Sequence, residues 1–367
     1  MLATLSLSFS PAQPKDCLPC HESIYESYLQ TAHFKTSQPA NRESIKGSFA
    51  QGENILRTAN PDVLFKMVKR GDGFYQNGYQ AGKLSRSERF DLVVGSGRKG
   101  QSYLFWEDGL LYQLPVSYFT LADEWVNSPG YENGKIFFGR LIPPQCLECH
   151  ATSFELERRG SRVAYSNRYE LGISCQKCHG PGDRHVQYHD ENPEETSGRY
   201  ILNPASFSRE RRIDNCALCH SGLREPKMPP FTSVPGQALD DYLMPAHVPD
   251  DLKIDVHGNQ AGLLRSSRCF KESPEMSCST CHDIHAQERD LASLSQKCLQ
   301  CHRPHDWTLA DPPQARIDEF CVSCHMPDQR SDVVTLESKE GLFPRYRNHA
   351  IGVYPEESKQ VLRQLRR

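Results

Sequence analysis

The sequence lacks long apolar runs and lacks an excess of charge of either sign. Hydrophobic residues make up only 37% of its 367 residues, and the formal net charge is −3. A membrane-spanning helix needs about 20 consecutive apolar residues, so no transmembrane segment is predicted. A nucleic-acid partner is not indicated either, because proteins that bind nucleic acids carry basic patches. The chain also contains 24 Gly and 25 Pro. It therefore has too few apolar side chains to fill the core of a protein of this length.

Cysteine, in contrast, is abundant and regularly placed. Seven Cys-x-x-Cys-His motifs use fourteen of the fifteen cysteines. In chain order the motifs contain Cys17, Cys20 and His21; Cys146, Cys149 and His150; Cys175, Cys178 and His179; Cys216, Cys219 and His220; Cys278, Cys281 and His282; Cys298, Cys301 and His302; and Cys321, Cys324 and His325. This motif attaches a c-type haem: two thiols bond the porphyrin vinyl groups, and the adjacent imidazole binds the iron. We therefore predict seven covalently attached haem c groups.

Two other uses of cysteine fit the pattern less well. Zinc ribbons also contain Cys-x-x-Cys pairs, but they have no reason to place a histidine directly after every pair. A disulfide framework would not put nearly every cysteine three residues from another. Each porphyrin is a large apolar disk, so haem also supplies the missing core, and we expect the apoprotein not to fold well alone.

Charge and location follow from this cofactor. Each ferric haem with two histidine ligands and two propionates adds about −1, which takes the oxidised holoprotein to about −10. We expect basic patches on its partners, which would be other periplasmic or membrane-anchored redox proteins. Met1 to Ser10 is similar to the end of a signal-peptide apolar region without its basic start. Since haem is attached covalently outside the bacterial cytoplasmic membrane, we predict a periplasmic or otherwise extracytoplasmic protein.

The spacing of the motifs divides the chain. The first cysteines of the first two motifs are 129 residues apart, and the later spacings, counted in the same way, are 29, 41, 62, 20 and 23 residues. Short aromatic and aliphatic runs in the long gap, separated by glycine-rich turns such as Glu107-Asp108-Gly109, predict a small antiparallel sheet over 63–120. Short helices are predicted at Ile24 to His33 and Glu356 to Arg366. The fold class is thus a mainly α and irregular multihaem cytochrome c fold organised around seven stacked haems, with a small inserted antiparallel β-sheet.

The predicted segments follow in order. They are a signal-peptide remnant or disordered N-terminus (1–14), the first haem segment (15–45), a haem-free β-containing insert (46–140), haems two to four (141–225), a Pro/Gly-rich connection (226–270), haems five to seven (271–330) and a C-terminal tail (331–367).

Eight histidines lie outside the motifs and are candidates for the sixth iron ligand. They are His33, His185, His189, His247, His257, His285, His305 and His349. Eight candidates for seven haems favour two histidine ligands at most of the irons. Iron with two histidine ligands has a low reduction potential. His285 and His305 each follow a motif histidine by three residues. Positions i and i+3 share a helix face, so each should bind the iron of a neighbouring haem instead of its own.

The other candidates differ in strength. His33 lies twelve residues after His21, about 18 Å along a helix, and so should also serve another haem. His185, after a Gly-Pro-Gly turn, His257 and His349 are favoured as ligands, while His189 and His247 are interpreted as surface or propionate-contacting residues. The fifteenth cysteine, Cys269, is interpreted as a small buried apolar residue. The alternative is a thiol whose pKa is lowered by nearby cations and which handles sulfur substrates.

Several segments resemble the periplasmic multihaem cytochromes of the cytochrome c554 and hydroxylamine oxidoreductase group, above all members often fused to tetratricopeptide repeats. The matching segments are Cys17-x-x-Cys20-His21 with Tyr25, Tyr28, Ala32 and His33; Cys178-His179-Gly180-Pro181-Gly182-x-x-His185; Cys281-His282-Asp283-Ile284-His285; and Cys324-His325-Met326-Pro327. The resemblance implies haems stacked in alternating parallel and perpendicular pairs. It also implies His33, His185, His257, His285 and His349 as distal ligands; His305 is added from geometry alone.

Two functions remain open at this point. The first is an electron carrier, a row of haems between a donor and a terminal reductase. The second is an oxidoreductase in which one open haem, in the 146–220 cluster or at the first motif, acts on a small nitrogen or sulfur oxyanion. The chain has no Cys-x-x-Cys-Lys sequence, the attachment motif of the catalytic haem in typical nitrite reductases of the related group. The carrier is therefore favoured.

Overall fold

The structure is a computed structural model that describes residues 14–160, 162–245, 258–303, 317–330 and 344–365. Its α-helices are α1 (Leu18–Tyr28), α2 (Pro144–Glu148), α3 (Cys175–His179), α4 (Asp183–Glu191), α5 (Arg209–His220), α6 (Gln260–Ser266), α7 (Arg268–Glu272), α8 (Leu291–Cys298), α9 (Cys321–His325) and α10 (Pro355–Leu365). Short 3-10 helices cover Pro14–Cys17, Phe34–Thr36, Pro204–Ser206, Leu239–Asp241, Cys278–Thr280 and Asp318–Phe320. No helix among the described residues is long and apolar enough to cross a bilayer.

The strands are β1 (Ser37–Pro39), β2 (Ile55–Arg57), β3 (Val63–Arg70), β4 (Gly73–Gln80), β5 (Lys83–Arg89), β6 (Leu92–Val94), β7 (Ser102–Glu107), β8 (Leu110–Gln113), β9 (Val116–Phe119), β10 (Glu124–Asn127), β11 (Arg140–Leu141), β12 (Ala151–Arg159), β13 (Arg162–Leu171), β14 (Asp328–Arg330) and β15 (Arg345–Arg347). All their pairings are antiparallel.

The haem-free insert is larger than the single small sheet predicted over 63–120. It forms a four-stranded sheet in the order β2-β3-β4-β5, the β9-β10 ribbon, and most of a five-stranded sheet in the order β1-β6-β7-β8-β11, whose strand β1 comes from the first haem segment. The sequence prediction missed β2, β5 and the ribbon because their residues alternate weakly or are polar; β5, for example, is largely exposed. The predicted hairpin is correct: Glu107 pairs with Leu110, and Asp108 and Gly109 both have positive φ, which a tight two-residue turn requires.

An aromatic core joins the sheets of the insert. Phe65, Phe90, Tyr103 and Trp125 are all buried, and their rings belong to one cluster that also includes Met67. Alternate residues of β3 point into this core, as its burial pattern shows, because successive side chains of a strand face opposite sides. The insert therefore has a hydrophobic core of its own, independent of haem.

A long hairpin, β12-β13, connects the second motif to the third and was not predicted. Its residues Phe154 and Tyr165 pack with Leu147 of α2 and with Leu104 and Leu111 of the insert. A third core, around Ile213, Leu239 and Phe270, joins α5 to the segment that precedes the fifth motif. These small cores lie between the motif helices and hold them in place.

Two helix predictions are confirmed with changed ends. The N-terminal helix α1 begins at Leu18 and ends at Tyr28 instead of reaching His33, which lies in the turns that follow. The C-terminal helix α10 covers Pro355–Leu365. His33 is therefore not placed by a continuous helix, which was the geometry assumed in estimating its distance from His21.

Candidate haem-binding sites

Six of the seven motifs lie in or directly beside an α-helical turn, and the fifth lies in a 3-10 turn. Cys175–His179 and Cys321–His325 form the complete short helices α3 and α9, while α5 and α8 end on motif residues. One helical turn brings residues three apart onto the same face. The two thiols of a motif can therefore reach the same porphyrin while the following histidine turns toward its centre.

Four motif histidines face an imidazole from a remote part of the chain. The ring centroids of His21 and His185 are 6.4 Å apart, those of His220 and His33 6.0 Å, those of His179 and His285 6.0 Å, and those of His282 and His349 6.3 Å. The interplanar angles range from 15° to 74°, so the rings are not paired by regular stacking.

This spacing matches two imidazoles on opposite sides of one metal ion. An imidazole nitrogen lies about 2 Å from the metal that it binds, and adding the ring radius on each side gives a centroid separation of roughly 6 Å. Two imidazoles alone do not complete a coordination sphere. The remaining positions would be filled by the four nitrogens of a porphyrin, which the adjacent thiols would hold covalently.

The second nitrogen of several of these rings is anchored by a hydrogen bond. Nδ1 of His179 lies 2.8 Å from the Leu202 carbonyl oxygen, and Nδ1 of His185 lies 2.7 Å from that of Arg199. The corresponding distance for His325 and the Gly352 oxygen is 2.8 Å. Since a carbonyl only accepts, Nδ1 carries the proton and Nε2 presents its lone pair. Metal-binding histidines are oriented in this way.

Burial favours the neutral form of five of the facing imidazoles. Desolvation lowers the pKa of His33 to about 4, helped by the neighbouring His220 and His282. The pKa of His349 is likewise lowered to about 4, mainly by burial. Burial also lowers the pKa values of His179, His220 and His282. Because only a neutral imidazole has a free lone pair, these histidines are in the state that binds a metal.

The motifs also contact one another through their thiols. Cys17 hydrogen-bonds Cys175, Cys149 bonds Cys219, Cys216 bonds Cys278, and Cys298 bonds Cys321. Charge on Cys178 raises the pKa of Cys216, and charge on Cys281 raises that of Cys298, so these thiols are close as well. The hydrogen bonds link motifs one and three, two and four, four and five, and six and seven, while charge interactions relate motifs three and four and motifs five and six. All seven motifs therefore form one continuous array.

A structural metal site of the zinc type is not formed by these residues. In the part of the chain that the structure describes, no group of three or more His, Cys, Asp or Glu side chains converges so that it could hold a metal ion. The same residues instead form facing imidazole pairs next to thiol pairs three residues apart. This donor set fits haem c and does not fit a tetrahedral ion.

Four of the six predicted distal histidines lie in these pairs: His33, His185, His285 and His349. His285 faces His179 of the third motif rather than the adjacent His282. His257 and His305 lie outside the described residues, as does His247. His189 lies 4.6 Å from His185 without facing a motif histidine, and its Nε2 has no hydrogen-bond partner among the described residues.

Sequence reasoning missed the groups that orient the histidines. Thr36 Oγ1 lies 3.0 Å from Nδ1 of His150, and Ser37 Oγ donates to the His150 carbonyl oxygen at 2.6 Å. Both come from the segment after the first motif, more than a hundred residues away in the chain. Most of the other groups that hydrogen-bond these histidines are backbone carbonyl oxygens, which cannot be identified from the sequence because every residue has one.

Cys269 does not have the environment of an activated thiol. Burial raises its pKa instead of lowering it. The nearby cations are engaged elsewhere: Arg265 contacts Glu210 at 2.8 Å, and Arg268 lies 3.9 Å from Glu272. The charge of Cys269 affects Cys281 and Cys298, so it lies beside the fifth and sixth motifs. The direction of this pKa shift does not support the alternative of a thiol activated by adjacent cations, which stays a prediction.

Two models of haem-protein families match parts of the chain that contain the attachment motifs. The family model for cytochrome c554 and c-prime matches residues 138–180, and the model of a doubled CXXCH motif matches residues 292–330. No curated protein matches the sequence.

Two solved structures align with almost the whole of this chain. The Outer Cell Wall Cytochrome OcwA aligns with a TM-score of 0.59 and 16% identity, covering 96% of this chain and 81% of that protein. An undecahaem cytochrome from the S-layer of Carboxydothermus ferrireducens aligns with a TM-score of 0.43 and 15% identity, covering 95% of this chain and 53% of that one. In its haem-attachment motifs, its two local family matches and its fold, the chain is similar to multihaem c-type cytochromes.

Proposed function

We propose that the chain is a heptahaem cytochrome that transfers electrons between extracytoplasmic redox partners through closely packed, mostly bis-histidine haems. The observation that carries the proposal is the set of four facing imidazole pairs at 6.0–6.4 Å, each joining a motif histidine to a remote one. When bound, haem supplies one-electron oxidation and reduction at iron.

The protein's own residues support this role in three ways. The motif thiols and histidines would hold each haem from one side. His33, His185, His285 and His349 would bind iron from the other, and His257 and His305 are proposed for two further sites. The thiol contacts between motifs keep neighbouring sites adjacent, which is what transfer along a row of haems requires.

The ligand arrangement also ties distant parts of the chain together. His33, after the first motif, faces the fourth motif; His285, after the fifth, faces the third; and His349, after the seventh, faces the fifth. Loading one site would therefore order segments that belong to others. A rigid array with few geometric changes between redox states suits a carrier.

Location and partners follow from the same chemistry. Covalent haem attachment favours an extracytoplasmic protein, and OcwA, which has a similar fold, is an outer cell wall cytochrome. The expected negative charge of the holoprotein favours partners with basic surfaces.

The spin state of the ferric haems tests this proposal. We expect low-spin, bis-histidine electron paramagnetic resonance signals for most of the haems, and several low reduction potentials. Mostly high-spin signals would contradict the carrier.

The oxidoreductase remains a second candidate. The four facing pairs supply proposed distal ligands at the first, third, fourth and fifth motifs. An open haem, if there is one, is therefore not expected at those four motifs. Binding of cyanide or nitrite to a single high-spin haem, with turnover of nitrite, hydroxylamine or a sulfur oxyanion, would favour the enzyme.

A further inference from the structure

The four-stranded sheet β2-β3-β4-β5 has one face on the core of the insert. Phe65 and Met67 of β3 belong to that core, and Lys66 between them points the other way because successive side chains of a strand face opposite sides. On β5, Arg86 and Glu88 lie on the core side, where they bind each other at 2.6 Å. We call the opposite side of the sheet, which carries Lys66, the outer face.

Four cations cross the outer face in a diagonal line. Arg57 of β2 and Lys66 of β3 are diagonal neighbours in the strand register, and so are Lys66 and Tyr75 of β4. Tyr75 lies directly opposite Arg89 of β5, and the guanidinium carbon of Arg70 lies 4.2 Å from the centroid of the Tyr75 ring. Side chains directly opposite each other are about 5 Å apart and diagonal ones about 7 Å. We call Arg57, Lys66, Arg70 and Arg89 the cation stripe.

The sheet itself does not neutralise the cation stripe. The other residues that pair on the outer face are all uncharged: Ile55, Leu64, Val68, Gly73, Tyr75, Asn77, Tyr79, Leu84 and Ser87. Arg70 donates to Asn77 Oδ1 at 3.0 Å and to Ser87 Oγ, both of them neutral groups. Within the described part of the chain, the stripe forms one ion pair, between Arg89 and Asp91 at 3.8 Å, and the Arg89 side chain stays 58% exposed. The stripe is therefore a line of positive charge that is open to solvent.

The outer face lies on the side of the insert away from the second motif. Tyr103 and Phe105 of β7 pack into the insert core, together with Phe65 of the four-stranded sheet. Leu104, between them, packs against Leu147 of α2, the helix of the second motif. The five-stranded sheet therefore lies between the four-stranded sheet and the second motif. A ligand on the outer face would leave that motif uncovered.

We propose that the outer face binds a linear acidic polysaccharide, whose successive carboxylates lie on the cation stripe. Arginine and lysine are the side chains that bind carboxylates, and a line of cations at repeated short intervals complements a polymer with an anionic group on each repeating unit. Beside the stripe, Tyr79 lies opposite Leu84, which is 53% exposed. These two side chains offer apolar surface to the carbon–hydrogen bonds of a sugar ring. This role goes beyond electron transfer and does not depend on it.

Other anionic macromolecules fit the outer face less well. Single-stranded nucleic acids stack their bases on open aromatic rings, but Arg70 covers the Tyr75 ring. Protein partners bind most tightly through a central group of apolar or aromatic anchors, whereas Lys66, Asn77 and Ser87 pair across the centre of this face. A polar face with its charge in a line favours a thin hydrophilic polymer.

Binding of polygalacturonate to the holoprotein, measured by titration calorimetry, tests the proposal. The double variant Arg57→Gln, Lys66→Gln removes two charges of the stripe. Their side chains form no hydrogen bond or ion pair with a described residue, so the sheet should remain folded. Because an exposed ion pair contributes up to about fivefold, we expect the affinity to fall about tenfold in the double variant. In wild type the affinity should decrease with added salt, which screens exposed charges.

Lys83→Gln is the matched control, because Lys83 is an exposed cation of β5 that pairs with Gln80 outside the outer face. This control and the charge-conserving variant Arg57→Lys, Lys66→Arg should both keep the wild-type affinity. If the double variant does not fold, Arg57→Gln alone replaces it.

Two results would overturn the proposal. One is that wild type does not bind polygalacturonate, or that Lys83→Gln loses as much affinity as the double variant. The other is that wild type binds oligothymidylate or phosphatidylglycerol vesicles more tightly than polygalacturonate, because the ligand would then be a nucleic acid or a membrane.

Discussion

At the scale of single residues, a proposed ligand differs from an ordinary histidine in what its imidazole faces. His185 and His189 illustrate this on one helix, α4. Both have Nδ1 near a backbone carbonyl oxygen, at 2.7 Å and 3.1 Å, but only His185 faces a motif histidine. An anchored Nδ1 therefore does not identify a ligand by itself. A histidine outside the motifs is proposed as a ligand only when its imidazole faces that of a motif histidine.

His33→Ala tests the proposed ligation at one iron. The substitution removes the imidazole that lies 6.0 Å from His220, so the haem of the fourth motif should lose its sixth ligand. We expect about one seventh of the ferric haem to become high-spin, measured by electron paramagnetic resonance and by the visible spectrum.

The matched control is His189→Ala, which removes a histidine that faces no motif imidazole. It should leave every haem low-spin. A His33→Ala spectrum indistinguishable from that of the control would contradict the pairing of His33 with the fourth motif.

At the scale of elements, the β12-β13 hairpin positions two haem sites at once. Its end at Gly172 contacts the segment after the first motif: the Gly172 amide donates to Ser37 Oγ at 2.9 Å, and the Ile173 amide donates to the His33 carbonyl oxygen at 2.9 Å. The hairpin leads directly into α3 and the third motif. The segment at the end of β13 thus holds the backbone of His33 by a hydrogen bond and leads into α3, which begins at Cys175.

Gly172→Ala should therefore be costly. Gly172 has a φ of 69°, and a Cβ atom there would lie 2.1 Å from the Phe34 carbonyl oxygen, so the backbone next to His33 must shift. We expect a loss of about 3 kcal/mol in unfolding free energy and a lower melting temperature, measured by circular dichroism.

Gly82→Ala provides the comparison for backbone strain alone. Gly82 has a φ of 76° but no atom within 4 Å of the added Cβ, so it should cost about 1 kcal/mol. Equal losses in the two variants would show that the contact with Phe34 does not matter.

At the scale of the whole molecule, the seven motifs lie close to one another, so we expect the proposed haem sites to depend on one another. Each motif contacts at least one other through its thiols, and the proposed distal histidines come from segments that also carry other motifs. The helical part has small cores, such as the one around Ile213 and Phe270, whereas the insert has an aromatic core of its own. Loss of haem should therefore disturb the helical part first.

The haem count is the first whole-molecule prediction. The acid-denatured holoprotein should have the mass of the chain plus seven haem groups, one for each motif. Five haems or fewer would refute the assignment of every motif as an attachment site.

Replacing Cys298 and Cys301 by serine tests the interdependence of the sites. Cys298 contacts Cys321 of the seventh motif and lies near Cys281 of the fifth, so removing the sixth haem should prevent stable folding of the exported protein. The yield of soluble holoprotein and its spectrum are the measurements. A soluble variant with six haems and unchanged ligation would show that the sites are independent.

The sequence alone determined the cofactor, the number of attachment motifs and the class of protein, because haem attachment is local chemistry: five consecutive residues such as Cys175 to His179 carry it completely. It also indicated the β-rich insert, since alternation of apolar residues is a local pattern, although weak alternation hid β5 and the β9-β10 ribbon. The tertiary structure decided which remote histidine faces which motif, how Thr36 orients His150, and where Lys99 joins the C-terminal hairpin. These contacts connect residues far apart in the chain, and only the folding of the insert and the hairpins around the motifs brings them within bonding distance.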